Sequence, residues 1–196
     1  MYVPAAFAED DPAVAAAIVR ANSFGLLITA VPALAATPVP FVLRDGFVLE
    51  AHLARENPQA AALDGAEALA VFGGAHAYVS PSWYAAKPAV PTWNYEAVQV
   101  AGRVAVMTDE AEIRAMLDAL SEGDPGDFAT GGVPAGYLQK MLKGIVAFRL
   151  IPNKITAKRK LSQNRSATDR RGVIAGLRDQ GETRMAELVA ATLPTP

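Results

Sequence analysis

Residues 76–95, HAYVSPSWYAAKPAVPTWNY, constrain the fold of this chain more than any other stretch. They include both tryptophans and three of the five tyrosines of the protein, and the prolines Pro81, Pro88 and Pro91 prevent the stretch from running as one helix. The residue before each proline is biased toward extended geometry. Aromatic side chains held on such stiff segments suit a flat ring ligand or a partner surface. The alternative, which composition alone slightly favours, is that the rings plug a barrel end or a subunit contact.

Composition bounds the class of protein. The chain has 196 residues, of which 52% are hydrophobic, so a single domain with a sizeable core is expected. The net charge of −2 gives no general attraction to nucleic acid or to acidic membranes. Cysteine is absent, which excludes disulfides and thiolate metal sites. With no signal-peptide pattern and no apolar run of transmembrane length, we expect a soluble cytoplasmic protein without a membrane segment.

The first half of the chain reads as one helix followed by strands. Asp11-Pro12 is a helix-start signal, and Asp45-Gly46 between apolar runs favours a tight hairpin turn. The patterning predicts a helix over 12–22, a strand over 24–31, a loop over 32–38, hairpin strands over 39–44 and 47–54, a short helix over 56–63 and a buried strand over 66–74.

The second half mixes strands with helices. Gly102, inside a strand predicted over 95–107, indicates a bulge or a close backbone approach, and Asp109 with Glu112 forms a plausible capping pair for the next helix. A glycine-rich loop over 121–134, a short helix around residues 137–142, a strand over 144–151 and helices over 168–179 and 182–192 follow.

Runs of strands interrupted by helices indicate an α+β fold in which an antiparallel sheet closes into a small barrel with peripheral helices. Parallel β-α-β alternation fits the order of elements poorly. We expect one domain over residues 1–196, with a C-terminal helical appendage from about residue 166.

Sequence signatures of common catalytic sites are missing. The chain has no GxxxxGK[ST], GxGxxG after a strand, GxSxG or HExxH motif. His52 and His76 have no second metal-type ligand at short helical spacing, so each is more simply a satisfied histidine than a metal ligand. We therefore predict no metal site, and the sequence identifies no catalytic residue.

The segment AHLARENP, residues 51–58, offers a candidate anion site. Arg55 ends a strand just before Asn57-Pro58, where a short helix begins, and a cation beside helix N–H groups can bind a phosphate. A surface ion pair between Arg55 and Glu56 or Asp64 is an equally open interpretation.

A basic segment lies near the C-terminus. Residues 144–171 contain eight lysines and arginines against one acidic residue, Asp169. Within it, residues 160–165, KLSQNR, offer donors for a phosphate, ribityl hydroxyls or the carbonyl edge of a heterocycle. A strip that binds phosphodiesters and a plain solvated face are alternatives.

These motifs together carry a resemblance. HAYVSPSWY, VPTWNY, KLSQNR, the N-terminal MYVPAAF and the central HLARENP resemble the PaiB-like family of FMN-binding negative transcriptional regulators, from Met1 to about Leu177. The resemblance implies an FMN-binding split barrel, similar to pyridoxamine-phosphate oxidases and flavin reductases. It also implies a homodimer with flavin at the subunit interface, in agreement with the antiparallel barrel expected from the patterning.

The resemblance also implies site residues, all of them hypotheses. Near the flavin phosphate and its flanking helix it places His52, Arg55 and Asn57. Bordering the ring system or the dimer seam it places Tyr78, Ser80, Trp83, Trp93 and Asn94. Closing the site from the end of the barrel, or from the partner subunit, it places Lys160, Gln163, Asn164 and Arg165.

Three functions follow as hypotheses. The first is an FMN-binding split-barrel dimer of regulatory type. The second is a flavin-dependent oxidoreductase of the same fold, in which the cofactor does the chemistry. The third is a nucleic-acid-binding regulator without flavin, which the basic segment favours but no helix-turn-helix signature supports.

Overall fold

The computed structural model of the chain describes residues 1–194, which form eight strands and five α-helices. The strands are β1 (Ala8–Glu9), β2 (Phe24–Thr29), β3 (Ala35–Pro40), β4 (Val42–Leu43), β5 (Leu49–Ala54), β6 (Glu67–Val79), β7 (Thr92–Val106) and β8 (Ile145–Lys160). The α-helices are α1 (Pro12–Ala21), α2 (Glu110–Leu120), α3 (Ala135–Lys143), α4 (Ala167–Asp179) and α5 (Thr183–Ala190). Short 3-10 helices are Ala5–Phe7, Asp45–Phe47, Pro58–Ala62, Pro81–Trp83 and Thr130–Gly132. No helix within residues 1–194 is both long and apolar enough to cross a membrane.

The strands form one sheet of order β3-β2-β6-β7-β8-β5-β4, with β1 paired to β8. The pairs β1–β8, β2–β3, β2–β6, β4–β5 and β5–β8 are antiparallel. In the β5–β8 pair, for example, His52 lies opposite Ala147. The predicted α+β class with an antiparallel sheet is confirmed.

The chain divides into two compact units, and β6, β7 and β8 contribute residues to both. The first unit contains Met1–Ile18, Gly73–Val98 and the described residues from Thr156 onward. The second contains Val19–Phe72 and Gln99–Ile155. The single domain with a C-terminal appendage stays a prediction.

In the first unit, the two C-terminal helices share a core with β6 and the aromatic segment that follows it. The side chain of Ser166 caps α4 by accepting a hydrogen bond from Asp169 N, as N-terminal serines commonly do. The apolar faces of α4 and α5 are then buried together with Val79, Tyr84 and Leu161. The core residues on these helices are Val173, Ile174, Leu177, Met185, Ala186, Leu188 and Val189.

In the second unit, aromatic packing and a capped helix organise the core. The ring of Phe41 packs edge-on against Phe72 at 5.3 Å and against Phe148 at 6.4 Å between centroids. The side chain of Asp109 accepts a hydrogen bond from Glu112 N at 2.9 Å and begins α2, which confirms the predicted cap. The α2 side chain of Met116 is fully buried against Met107.

Three strands extend beyond their sequence-predicted bounds or were missed. Strand β3 occupies part of the loop predicted over 32–38, and its prolines are tolerated because β3 ends the strand order and forms a sheet edge. Strand β6 continues past Gly74 to Val79, and β8 continues through Pro152 to Lys160. Gly74, where the predicted strand ends, instead marks close packing, because a Cβ there would lie 2.9 Å from Glu96 Cβ. In β7, a Cβ at Gly102 would lie 2.0 Å from Ile151 O. That contact confirms the close backbone approach predicted at Gly102.

Candidate functional site

One sheet face of the first unit carries exposed rings. His76 and Tyr78 are two residues apart on β6 and therefore project to the same side. Both pack against Trp93 of β7, with centroids 6.3 Å and 6.0 Å apart. Trp93 is 53% exposed and Tyr78 is 47% exposed. Large rings held in mutual contact but open to solvent form a surface on which a planar molecule can stack.

Two ammonium groups lie beside Tyr95 and Thr92, which belong to the same strand as Trp93. Lys158 and Lys160 share a face of β8, which neighbours β7 in the sheet. The Nζ of Lys158 lies 5.1 Å from the Tyr95 ring centroid, and the Nζ of Lys160 donates to the hydroxyl of Thr92. We call the set His76, Tyr78, Trp93, Tyr95, Lys158 and Lys160 the ring–ammonium face.

The charge at Lys160 is partly withdrawn from water. Burial lowers the pKa of Lys160, the nearby Tyr95 opposes this effect, and the cations Lys158 and Arg165 add to it. Cationic groups that lie close together and are poorly solvated are stabilised when an anion binds to them. This part of the face is therefore suited to a phosphate or a carboxylate.

The opposite side of the same strands is used for internal ion pairs. Arg159 Nε donates to Glu96 Oε1 at 2.8 Å, and Arg159 Nη1 lies 3.4 Å from Glu9 Oε2. These contacts occupy the guanidinium of Arg159 between two carboxylates. Of the basic segment, the two lysines rather than this arginine are placed with the rings.

Asn94 and Gln163 make contacts inside the unit. The Asn94 amide nitrogen donates to Ser162 Oγ at 3.0 Å, and Asn94 is fully buried. The amide of Gln163 spans its own loop, donating to Arg159 O at 2.6 Å and accepting from Leu161 N at 2.7 Å. Gln163 thus shapes the loop after β8, and Asn94 joins that loop to β7 through Ser162.

The remaining predicted residues of the first unit are Ser80, Trp83, Asn164 and Arg165. Arg165 stacks over the Tyr84 ring at 4.4 Å, and Asn164 is exposed. Ser80 begins the 3-10 helix Pro81–Trp83 by accepting from Ser82 N at 3.2 Å. A small pocket of about 360 Å³ in this region is lined by Tyr78, Ser80, Trp83, Gln180 and Glu182.

In the second unit, Arg55 binds backbone carbonyls. Its Nε donates to Lys143 O at 2.6 Å and one of its Nη atoms donates to Ile145 O at 2.7 Å. The backbone N–H of Arg55 also donates to Gly144 O at 2.8 Å. Arg55 therefore ties the end of β5 to the junction between α3 and β8, and neither of the acidic partners weighed from the sequence is used.

Asn57 begins the 3-10 helix Pro58–Ala62, as predicted. Its side-chain oxygen accepts from Gln59 N at 3.0 Å, and its amide nitrogen donates to Thr37 Oγ1 at 3.3 Å. The buried Gln59 donates in turn to Leu27 O and Thr29 Oγ1. This network was missed in the sequence, where a glutamine two residues after a cap gives no burial signal.

His52 lines a cavity of about 400 Å³ in the second unit. Burial lowers the pKa of His52, and its Nδ1 is buried without a hydrogen-bond partner among the described residues. The other walls come from the end of β3 at Pro40, α2, the loop that follows α2, α3 and the start of β8. Among residues 1–194, no lysine, arginine, aspartate or glutamate lines the cavity.

The twelve predicted residues fall into two groups. His52, Arg55 and Asn57 belong to the second unit and the other nine to the first. Within the first unit, Tyr78 and Trp93 are in contact, and Lys160 reaches Thr92 beside Trp93. Sequence reasoning missed His76, Tyr95 and Lys158 as members of this face. Reading residues 156–160 as a strand would have placed Lys158 and Lys160 on one side.

Comparison with known proteins supports the resemblance. Residues 1–153 match a family model described as "Putative FMN-binding domain". The chain is 33% identical over 200 residues to the protease synthase and sporulation protein PAI 2 of Bacillus subtilis strain 168, covering 96% of each protein.

Two solved structures share the fold at low identity. The flavocytochrome Anf3 of Azotobacter vinelandii aligns with a TM-score of 0.60 at 20% identity, covering 78% of this chain and 68% of that chain. The FAD and heme binding protein of Mycobacterium smegmatis aligns with a TM-score of 0.59 at 17% identity, covering 78% and 72%. The fold is thus that of the flavin-binding split barrels. The chain belongs to the PaiB-like family of FMN-binding split-barrel proteins.

Proposed function

We propose that this protein binds FMN on the ring–ammonium face and does so as a homodimer with the flavin at the subunit interface. The observation that carries the proposal is the half-exposed Trp93–Tyr78 pair with Lys160 bound to the residue next to Trp93. FMN combines a planar ring system with a phosphate, and this face offers a partner for each. Membership of an FMN-binding family supports the choice of ligand.

Different residues of the ring–ammonium face would bind different parts of FMN. The indole of Trp93 and the phenol of Tyr78 would stack against the flavin ring, since aromatic pairs gain from offset and edge-on contact. Lys160, whose burial makes an anionic partner favourable, would pair with the phosphate. Bound flavin would supply electron-transfer chemistry, while the chain's own residues bind and orient it.

Exposure of the rings supports the homodimer. A tryptophan that is 53% exposed and a tyrosine that is 47% exposed form an apolar surface of the kind that interfaces cover. A ring ligand stacked on this face would keep its other side open on a single chain. A second copy of the chain would cover that side and exclude water from the ligand.

A regulatory role is proposed as the cellular context. The B. subtilis relative is named for protease synthesis and sporulation, and the family that the motifs resemble consists of negative regulators. Direct DNA contact by the basic segment has weaker support, because Arg159 is held in ion pairs and Lys158 is buried. We therefore propose that the flavin-binding dimer, rather than a strip of free cations, carries the regulatory function.

An FMN titration tests the proposal. We expect flavin fluorescence to be quenched on binding and Lys160→Met to weaken affinity about 10- to 100-fold, the equivalent of a charged hydrogen bond of roughly 1.5–3 kcal/mol. Lys154→Met removes a lysine from an exposed position of the same strand and should leave affinity unchanged. Protein that neither quenches nor retains FMN would overturn the proposal, and equal effects of the two substitutions would overturn the role of Lys160.

A further inference from the structure

The cavity beside His52 has the size and lining of a small-molecule site that the proposed FMN site does not use. Its volume of about 400 Å³ lies within the usual range for ligand pockets, about 300–1,000 Å³. Its wall includes Leu117, Leu120, Val133, Leu138 and Leu142. The polar side chains of the wall are those of His52, Ser121, Thr130 and Tyr137, and the rest of the wall is apolar.

Two polar side chains of the wall, Thr130 and Ser121, form hydrogen bonds within the chain. Thr130 donates from Oγ1 to Asp118 at 3.0 Å, and Ser121 Oγ donates to Leu117 O at 3.1 Å. The ring of His52 differs, because its Nδ1 is buried with no partner among the described residues. A buried polar atom without a partner costs free energy, and such atoms are rare unless a function retains them.

The lack of positive charge in the cavity wall excludes anionic ligands such as FMN. In the described part of the chain, no lysine or arginine lines the cavity to neutralise a phosphate. Because burial lowers the pKa of His52, its ring is neutral at neutral pH and offers one donor and one acceptor nitrogen. The free energy lost by burying a phosphate without a counter-charge would be far larger than the free energy gained from the apolar contacts.

We propose that this cavity is a second ligand site, which takes a small neutral, mainly apolar molecule bearing one hydroxyl or carbonyl group for His52. Apolar atoms of the ligand pack on the leucines and Val133, and its single polar group bonds to the imidazole. A regulator with such a site can respond to an aromatic or aliphatic effector independently of flavin.

The neutral fluorescent dye N-phenyl-1-naphthylamine probes the cavity directly in the full-length protein. We expect saturable binding with one dye per chain and no displacement by FMN. Val133→Trp fills the cavity and should weaken dye binding at least tenfold. Val90→Trp adds the same ring at an exposed position of the first unit and should bind dye normally. Leu142→Trp, from another wall, repeats the test if Val133→Trp does not fold.

His52 is tested with paired competitors. In displacement of the dye, 1-naphthol should bind about 3- to 10-fold more tightly than naphthalene, as expected for one neutral hydrogen bond. In His52→Leu this preference should disappear while naphthalene still binds. A preference that persists in His52→Leu would overturn the role of the imidazole.

Other results would overturn the site itself. Displacement of the dye by FMN would mean that the cavity is part of the flavin site. Dye binding that falls as protein concentration rises would mean that a second copy of the chain fills the cavity. Undiminished dye binding in both tryptophan variants would place the dye elsewhere. A protein that binds dye but no FMN would refute the proposed function and leave this site intact.

Discussion

Gly176 of α4 lies against the indole of Trp83, and a Cβ built at this glycine would stand 2.3 Å from two of the ring carbons. A turn earlier on the same helix, a Cβ at Gly172 would stand 2.1 Å from Trp83 O. Glycine inside a helix costs about 0.5–1 kcal/mol relative to alanine, so two glycines on one face need a reason. The reason is that they let α4 approach the aromatic segment closely.

Gly176→Ala should therefore destabilise the first unit. The added methyl group cannot be accommodated unless the Trp83 ring or α4 moves, and overpacking of this kind costs typically about 1–3 kcal/mol. Urea denaturation followed by tryptophan fluorescence measures the loss. Gly136→Ala is the matched control, because a Cβ there meets nothing within 4 Å and helix propensity should make the change neutral or stabilising by up to about 1 kcal/mol. Equal stability of the two variants would contradict the packing argument.

The sequence predicted the elements well where local chemistry determines them. Pro12 at the start of α1, Asp109 as a cap and Asn57 before the 3-10 helix all act through neighbours within a few residues. Gly102 was recognised because glycine inside a strand signals close approach. The family motifs added the split-barrel fold, which patterning alone had limited to a small antiparallel barrel.

The sequence predicted the candidate site less well, because contacts distant in sequence determine it. Arg55 bonds to carbonyls 88 and 90 residues away, which no local pattern indicates. His52 faces a cavity whose other walls lie mostly between residues 117 and 145. Lys158 and Lys160 share a face with the rings only because β8 continues through Pro152, where the predicted strand had ended.

Arg55→Ala should lower stability through the junction between α3 and β8. The change removes two charged hydrogen bonds to Lys143 O and Ile145 O at an exposed site, so we expect a loss of about 1–3 kcal/mol in the free energy of unfolding. Arg20→Ala, at the exposed end of α1, should change stability by no more than about 0.5 kcal/mol.

An FMN titration separates this role of Arg55 from a phosphate contact. If Arg55 acts through the carbonyls, the folded variant binds FMN with unchanged affinity at a temperature well below its unfolding midpoint. Weakened FMN binding in a variant of unaltered stability would instead support the phosphate contact suggested by the HLARENP motif.

Asn94 and Ser162 should behave as a coupled pair. Both side chains are buried and each forms a hydrogen bond with the other. Asn94→Ala would leave the Ser162 hydroxyl without this partner and should lower the free energy of unfolding by about 1–3 kcal/mol. In the double variant with Ser162→Ala the second loss should be smaller, giving a coupling energy of about 0.5–3 kcal/mol in a double-mutant cycle. The exposed pair Ser80–Ser82 provides the control, since Ser82→Ala should change little. Strictly additive losses at Asn94 and Ser162 would refute the pairing.

Glu50 should make the second unit sensitive to acid. Burial pushes the pKa of Glu50 up, but hydrogen bonds from Arg149 and Arg44 outweigh it and hold the pKa below its ordinary value of 4.5. Arg149 Nε lies 2.7 Å and Arg44 Nε 2.8 Å from the carboxylate. Because the folded-state pKa is the lower one, the stabilisation is fully present above about pH 4.5 and is lost as the pH falls through the folded-state value.

Glu50→Gln removes this charge while keeping the shape of the side chain. At neutral pH the variant should be less stable than the wild type by roughly 1–3 kcal/mol, and the difference should shrink as the pH falls below about 4.5, because wild-type Glu50 then loses its own charge. Urea denaturation at a series of pH values from about 7 to 3 measures the difference. The exposed Glu122→Gln is the control and should change stability at neutral pH by no more than about 0.5 kcal/mol. A gap between wild type and Glu50→Gln that stays constant down to the lowest pH would show that the arginine contacts do not depend on the charge of Glu50.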